Sequence, residues 1–250
     1  MLYLPHLKVE LQQFKGRKEN KFTEKGEKSD TGAHVSFENV SFSYLGKKNN
    51  LENVSFSLKK GESLGIIGAT GSGKTEFAVN LALALNECRS PVALADLDVV
   101  DPYFRSRECA PVLAEKGIRL ISSANTCRDA DLPSMPAEVN VLLDNPDLWG
   151  VLDIGGDPVG ARVLARFRPR IAKEDHQLLF VLNANRPEVR QRDDAIRYLR
   201  SIEAVTGLSC TGIVNNTHLC GETTAEDIRK GAVLAAAVSE ETGIPLLCHT

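Results

Sequence analysis

Residues 63–86 read SLGIIGATGSGKTEFAVNLALALN, and this stretch decides the fold. Residues 63–68 form a short apolar run of strand length. From Lys74 onward, Phe77, Leu81 and Leu85 recur at helical spacing with alanines filling the gaps. Between the two lies Gly68-Ala69-Thr70-Gly71-Ser72-Gly73-Lys74-Thr75, which satisfies GxxxxGK[ST]. Strand, glycine loop and helix thus follow in the order that lets backbone N–H groups curve around phosphate oxygens, with the amino end of the helix adding a favourable dipole. In such a loop Lys74 reaches the β- and γ-phosphates and the Thr75 hydroxyl binds Mg²⁺. Gly68, Gly71, Ser72, Gly73, Lys74 and Thr75, with Glu76 next on the helix, are the candidate nucleotide contacts.

Downstream, near-continuous apolar runs at 91–96, 118–122, 150–154, 178–183 and 211–215 predict strands buried on both faces, as in a parallel sheet. Helical stretches separate them, notably 190–206, stopped by Gly207, and 225–242, stopped by Gly243. A last strand is expected at 245–248. The alternation predicts an α/β fold with a doubly wound, mostly parallel sheet and the ligand at the carboxyl ends of its strands.

Two acidic strand ends supply the carboxylates that phosphate-bound Mg²⁺ requires. VLDIGGDPVG places Asp153 after an apolar run, where it reads as the metal-binding strand-end aspartate, and Gly156 could present its amide to a γ-phosphate. ALADLDVVDPYFRSRE places Asp96 and Asp98 two apart, so both project to one side if the strand continues. Asp98 is the candidate for orienting an attacking water or a metal-bound water; Asp96 and Asp101 are weaker candidates. Lys74, Asp98 and Asp153 are the expected catalytic set, and Thr75, Asp153 and Asp98 the expected metal set.

Upstream the chain changes character. Residues 1–33 are polar and of mixed charge, a composition that buries little apolar area and predicts an arm or linker. HVSFENVSFSY and LENVSFSLKKGE then alternate apolar and polar residues around a turn at LGKKNN, predicting an antiparallel hairpin over 34–62, ahead of a phosphate-loop domain over 63–250.

The 250 residues carry a formal charge of -3 with 42% hydrophobic and 25% charged residues, which excludes collagen-like and wholly disordered chains. That average hides a break: the first 75 residues hold 12 Lys+Arg against 8 Asp+Glu, and the remainder 18 against 25. Eleven of the twelve early cations are Lys, whereas fifteen of the eighteen later ones are Arg, a swap that folding alone does not require. Two sequence origins joined near the glycine loop account for it. All six cysteines lie in the later part, without CxxC or zinc-like spacing, and read as reduced thiols. No apolar run reaches membrane-spanning length and the start lacks the order of a secretory signal, so a cytoplasmic location is expected. Arg162, Arg166 and Arg170 recur every four residues and predict one basic helix face, read as solvated; no specific nucleic-acid binding is claimed.

From Gly71 onward, GSGKTEFAVNLALAL, DLDVVDPYFRSRE, VLDIGGDPVGARVL, VLNANRPEVR and GIVNNTHL together resemble the MinD/ParA-type ATPases of the CobQ/CobB/MinD/ParA class. The resemblance implies a P-loop NTPase fold, ATP with Mg²⁺, slow hydrolysis and often a nucleotide-dependent homodimer. It also implies that Asp153 holds the metal, that Asp98 positions water, and that Asn215 or Asn216 contacts the base. Those relatives commonly carry a second lysine just after the first glycine of the loop, reaching the partner subunit's nucleotide; here that position is Ala69. Residues 34–75, by contrast, are similar to the start of an ABC exporter nucleotide-binding domain: VSFENVSFSY and NVSFSLKKGESLGIIGATGSGKT. There the aromatic matching Tyr44 stacks on adenine. No LSGGQ-like signature follows, so complete ABC transport chemistry is not expected.

The expected activity is that of an ATPase converting Mg·ATP to ADP and phosphate. The alternatives are a nucleotide-gated interaction or assembly protein with little turnover, and a fusion fragment in which two families meet only at the loop.

Overall fold

The apolar runs on either side of the glycine loop align as strands of one sheet. The computed structural model describes residues 34–42, 51–59, 62–88, 91–98, 106–122, 138–172 and 176–250. In chain order the elements are β1 (His34–Phe42), β2 (Leu51–Lys59), β3 (Ser63–Ile67), α1 (Lys74–Cys88), β4 (Val92–Leu97), α2 (Ala110–Glu115) and β5 (Arg119–Ser122). There follow α3 (Glu138–Asp144), β6 (Trp149–Ile154), α4 (Pro158–Ala165), α5 (Arg168–Ile171), β7 (His176–Leu182) and α6 (Arg192–Thr206). β8 (Gly212–Asn215), α7 (Ala225–Thr242) and β9 (Leu246–His249) complete the order. The expected arm, the hairpin turn, Tyr44 and Asp101 lie outside the described residues.

The sheet order is β1-β2-β9-β8-β7-β3-β6-β4-β5. From β9 to β5 every pairing is parallel, giving a seven-stranded parallel body. β1 and β2 form the expected antiparallel pair, which meets the body through one antiparallel step, Glu52 opposite His249.

Successive strand residues point to opposite faces, and both faces are covered. Leu178, Phe180 and Leu182 of β7 join a core with residues of α3 to α7, whereas Leu179 and Val181 join a second core with Phe77, Ala78, Leu81 and Leu85 of α1 and Leu113 of α2. Helices on both faces of a parallel sheet explain why the strands read as continuous apolar runs rather than alternating ones. Leu58 of β2 is also buried in the second core, which anchors the hairpin.

Helix ends follow local chemistry. α7 starts with a capping box, in which Thr224 and Asp227 bond each other's backbone N–H groups, and α6 and α7 stop at Gly207 and Gly243 with φ of 69° and 71°. The arginine series does not lie on one helix. α4 ends at Ala165, because Pro169 removes an N–H and its ring would meet the carbonyl four residues earlier. Arg170, on the short α5, pairs instead with Asp144 at 3.1 Å and also bonds Asn140.

The chain crosses closely where β6 passes to α4. A Cβ on Gly155 would lie 2.7 Å from Gly160 Cα and 2.9 Å from its carbonyl carbon, backbone that no rotamer can clear. Gly155→Ala is therefore expected to lower unfolding free energy by about 1–3 kcal/mol in urea denaturation. Gly221→Ala, with nothing within 4 Å, should stay within about 0.5 kcal/mol of the parent.

Candidate functional site

The site is built where β3, β6 and β4 end side by side. β3 stops at Ile67, and the chain turns through a loop closed by the Ser72 N–H donating to the Ala69 carbonyl at 2.9 Å. Gly71 and Gly73 have φ of 73° and 83°, a backbone region that side chains disfavour. Gly68 is required for closeness: a Cβ there would sit 2.4 Å from the Val181 carbonyl oxygen of β7. The Phe77 N–H then bonds the Gly73 carbonyl at 2.9 Å, so α1 begins at the loop and its amino end borders the space the loop encloses.

Into that space comes a buried group of charges. Parallel register sets Ile66 opposite Asp153 and Asp153 opposite Asp96, which brings both acidic strand ends to one level. Lys74 Nζ lies 2.9 Å from Asp98 Oδ2 and 3.9 Å from Asp153 Oδ1. The Asp98 N–H donates to Asp96 Oδ1 at 3.2 Å. Lys74, Asp96, Asp98 and Asp153 are all at most 6% exposed. Ser106, which the sequence reading did not single out, donates its hydroxyl to Asp153 Oδ2 at 2.9 Å.

Burial pushes the Asp153 carboxyl up to about 6; Lys74 acts against this, Asp96 adds to it, and the Thr75 and Ser106 hydroxyls lower it. Among the described residues, none gives Asp153 Oδ1 a hydrogen bond of good geometry, although it is fully buried. A hard cation seeks such an oxygen, so Thr75 and Asp153 fit a phosphate-bound Mg²⁺. Asp98 is engaged by Lys74 and would have to exchange that partner to join them.

The remaining expected residues also gather at the loop. Gly156 backs against it: a Cβ there would lie 2.9 Å from Thr70 Oγ1 and 3.1 Å from the Gly68 carbonyl oxygen. Its own carbonyl accepts from the Tyr198 hydroxyl of α6. Asn216 Nδ2 donates to the Ser72 carbonyl at 2.7 Å, and its side-chain oxygen accepts from Thr250. Asn215 is buried, with Oδ1 accepting from the Thr217 hydroxyl at 2.7 Å and Nδ2 on His249 Nδ1 at 2.9 Å. Both asparagines thus brace the end of β8 against the loop and β9. Glu76 is exposed on the first turn of α1.

Three contacts were not foreseen: Ser106 on Asp153, Tyr198 on Gly156, and Arg186, whose Nε donates to the Gly71 carbonyl at 2.7 Å. Arg186 lies in VLNANRPEVR, a stretch whose resemblance implies no role for this residue.

No protein-family model matches the chain. Among curated proteins it is 35% identical over 96 residues to the β-(1→2)glucan export ATP-binding/permease protein NdvA of Rhizobium johnstonii, covering 37% of this chain and 16% of that protein. It is 30% identical over 106 residues to the ATP-dependent lipid A-core flippase of Shewanella denitrificans, covering 38% and 18%. The chain therefore spans less than a fifth of the length of these relatives. Among solved structures, the cell division protein FtsY of Thermotoga maritima superposes with a TM-score of 0.51 at 20% identity, over 74% of this chain and 60% of that one. Chloroplast FtsY of Physcomitrella patens gives 0.51 at 15% identity, over 74% and 57%. The fold is that of the P-loop NTPases.

The raised Asp153 carboxyl gives a signed pH dependence. Its folded pKa of about 6 exceeds the ordinary value of 3.8, so the folded state holds the proton more tightly. Its contribution to stability is complete below about pH 4 and is lost as pH rises through about 6. Urea midpoints of the ligand-free protein in chelator should fall across this window relative to those of Asp153→Asn; parallel profiles would contradict the assignment.

Proposed function

We propose that this protein binds Mg·ATP in the loop from Gly68 to Thr75 and converts it slowly to ADP and phosphate. The observation that carries the reading is the buried Lys74 at the start of α1, with Asp98 and Asp153 on its ammonium. Loop N–H groups and the end of α1 bind the phosphates, and Lys74 moves from Asp98 to phosphate oxygen. Asp98, relieved of the lysine, orients the attacking water. When bound, Mg²⁺ neutralises phosphate charge, and Thr75 and Asp153 hold it there. The preference for ATP draws on the ABC-exporter resemblance of residues 34–75 and on relatives named as ATP-binding or ATP-dependent.

The kinship to MinD/ParA belongs to this proposal and is supported by the motifs from Gly71 onward. So does the division into an arm (1–33), a hairpin (34–62) and a phosphate-loop domain (63–250). Ala69 is 1% exposed and offers no group to a partner's nucleotide, which argues against dimerisation through a second lysine.

A second reading, a nucleotide-gated interaction protein, is favoured by the bond from Tyr198 to the Gly156 carbonyl, which ties α6 to the segment beside Thr70. Gel filtration with ADP and with ATP plus Mg²⁺ separates the two, since assembly changes elution volume and turnover alone does not.

Lys74→Ala is expected to abolish nucleotide binding, read as loss of the melting-temperature rise that ATP and ADP give the parent. A larger rise with GTP than with ATP would overturn the base assignment. An equal rise in parent and variant would overturn the site.

A further inference from the structure

Arg186 follows β7, on the side of β3 away from β6 and its carboxylate. The glycine loop therefore has Asp153, Asp96 and Asp98 on one flank and a guanidinium on the other. The contact is close: a Cβ added to Gly71 would lie 2.7 Å from the guanidinium carbon and 2.9 Å from Nη2. Nε is used on the Gly71 carbonyl, and the side chain is half-buried. Among the described residues no carboxylate lies within ion-pair distance of Arg186. On α6, by contrast, Arg192, Arg197 and Arg200 each have a carboxylate at 2.8 Å or closer, whereas the exposed Arg190 keeps its hydration and needs none.

A half-buried guanidinium has lost part of its hydration, and an anion set in its planar fork restores that loss. The anion at hand is the one the loop is shaped to hold. We infer that Arg186 binds the phosphate chain of the nucleotide from within the same subunit, supplying the second loop cation that Ala69 does not. This rests on the reading of the loop as a nucleotide site. Its bond to Gly71 fixes the guanidinium against the loop before the ligand arrives, so little side-chain freedom is lost on binding. Nucleotide capture then needs no cation from a second copy of the chain.

The test is calorimetric titration of the full chain with Mg·ADP and with a non-hydrolysable Mg·ATP analogue. Arg186→Ala should weaken both by at least about tenfold, the loss of one charge-assisted contact. Arg186→Lys keeps the charge and loses the fork, whereas Arg186→Gln keeps a donor for Gly71 and loses the charge. The inference expects the lysine variant, with the charge but not the fork, to fall between parent and alanine, the glutamine variant to resemble alanine, and the salt dependence of binding to flatten in the glutamine variant. Retained affinity with glutamine and loss with lysine would overturn it, leaving Arg186 as a brace for the Gly71 carbonyl. So would an alanine variant within twofold of the parent. Should the alanine variant not fold, the lysine and glutamine pair decides, each checked by its ligand-free melting curve. Lys74→Ala titrated alongside keeps the two readings apart: if it binds like the parent, the nucleotide site itself is wrong, whatever Arg186 does.

Discussion

A lysine ammonium and three carboxylates buried at the ends of adjacent strands constrain everything around them. Lys74, Asp96, Asp98 and Asp153 are nearly inaccessible to solvent. Taking such groups out of water costs several kcal/mol per ion unless geometry and hydrogen bonds offset the loss. The offset here is structural: parallel register aligns Asp96 with Asp153, the start of α1 delivers Lys74 between Asp98 and Asp153, and Ser106 satisfies Asp153 Oδ2. Burial in the cluster still raises the Asp153 carboxyl to about 6, so part of the desolvation cost is not offset. A folded state that tolerates this is held by its apolar layers, and the site draws on that stability.

The same layers explain why the fold was legible in the sequence. Strands buried on both faces must be apolar throughout, and the runs around Leu94, Leu152, Phe180 and Ile213 carried that signal. Expected and observed strand bounds differ by a residue or two, because the last residue of a run often belongs to the turn that uses it. Asn183 is such a case: expected as the end of β7, it caps the turn by accepting from the Asn185 N–H at 3.0 Å. The arginine series was misleading for a different reason. Four-residue spacing is compatible with a helix face but does not survive Pro169, which ends α4 whatever the periodicity.

Within the site, legibility divides along the backbone and the side chain. The glycine pattern specifies a backbone path, and a backbone path can be recognised from residues that permit it. Gly68, Gly71 and Gly73 are required by a close approach or by positive φ, both of which exclude other residues locally. Ser106, Tyr198 and Arg186 act through space from positions 47, 42 and 115 residues away from their partners. No local pattern marks a serine or an arginine for such a contact, since only the folded sheet sets the distance. Asn215 and Asn216 lie between these cases. Their place at a strand end was legible, whereas their use as braces for Ser72, Thr217 and His249 was not.

The compositional break between the Lys-rich beginning and the Arg-rich remainder does not match the way the sheet is joined. The parallel body is continuous from β9 to β5, with ladders of several residues at most steps. Among the described residues, the hairpin meets it where Glu52 pairs with His249 and where Leu58 is buried among residues of the second core. Yet β3, which belongs to the ABC-like stretch by sequence, sits at the centre of the body between β7 and β6. The family boundary read from motifs and the mechanical boundary read from pairing therefore do not coincide. The change in resemblance falls at the glycine loop, whereas the change from antiparallel hairpin to parallel body falls between β2 and β3. A glycine loop of this kind places the same demands on any sequence that runs through it without disturbing the register of a parallel sheet. It needs the same strand before it, the same helix after it and the same close contact of Gly68 with β7 in each case.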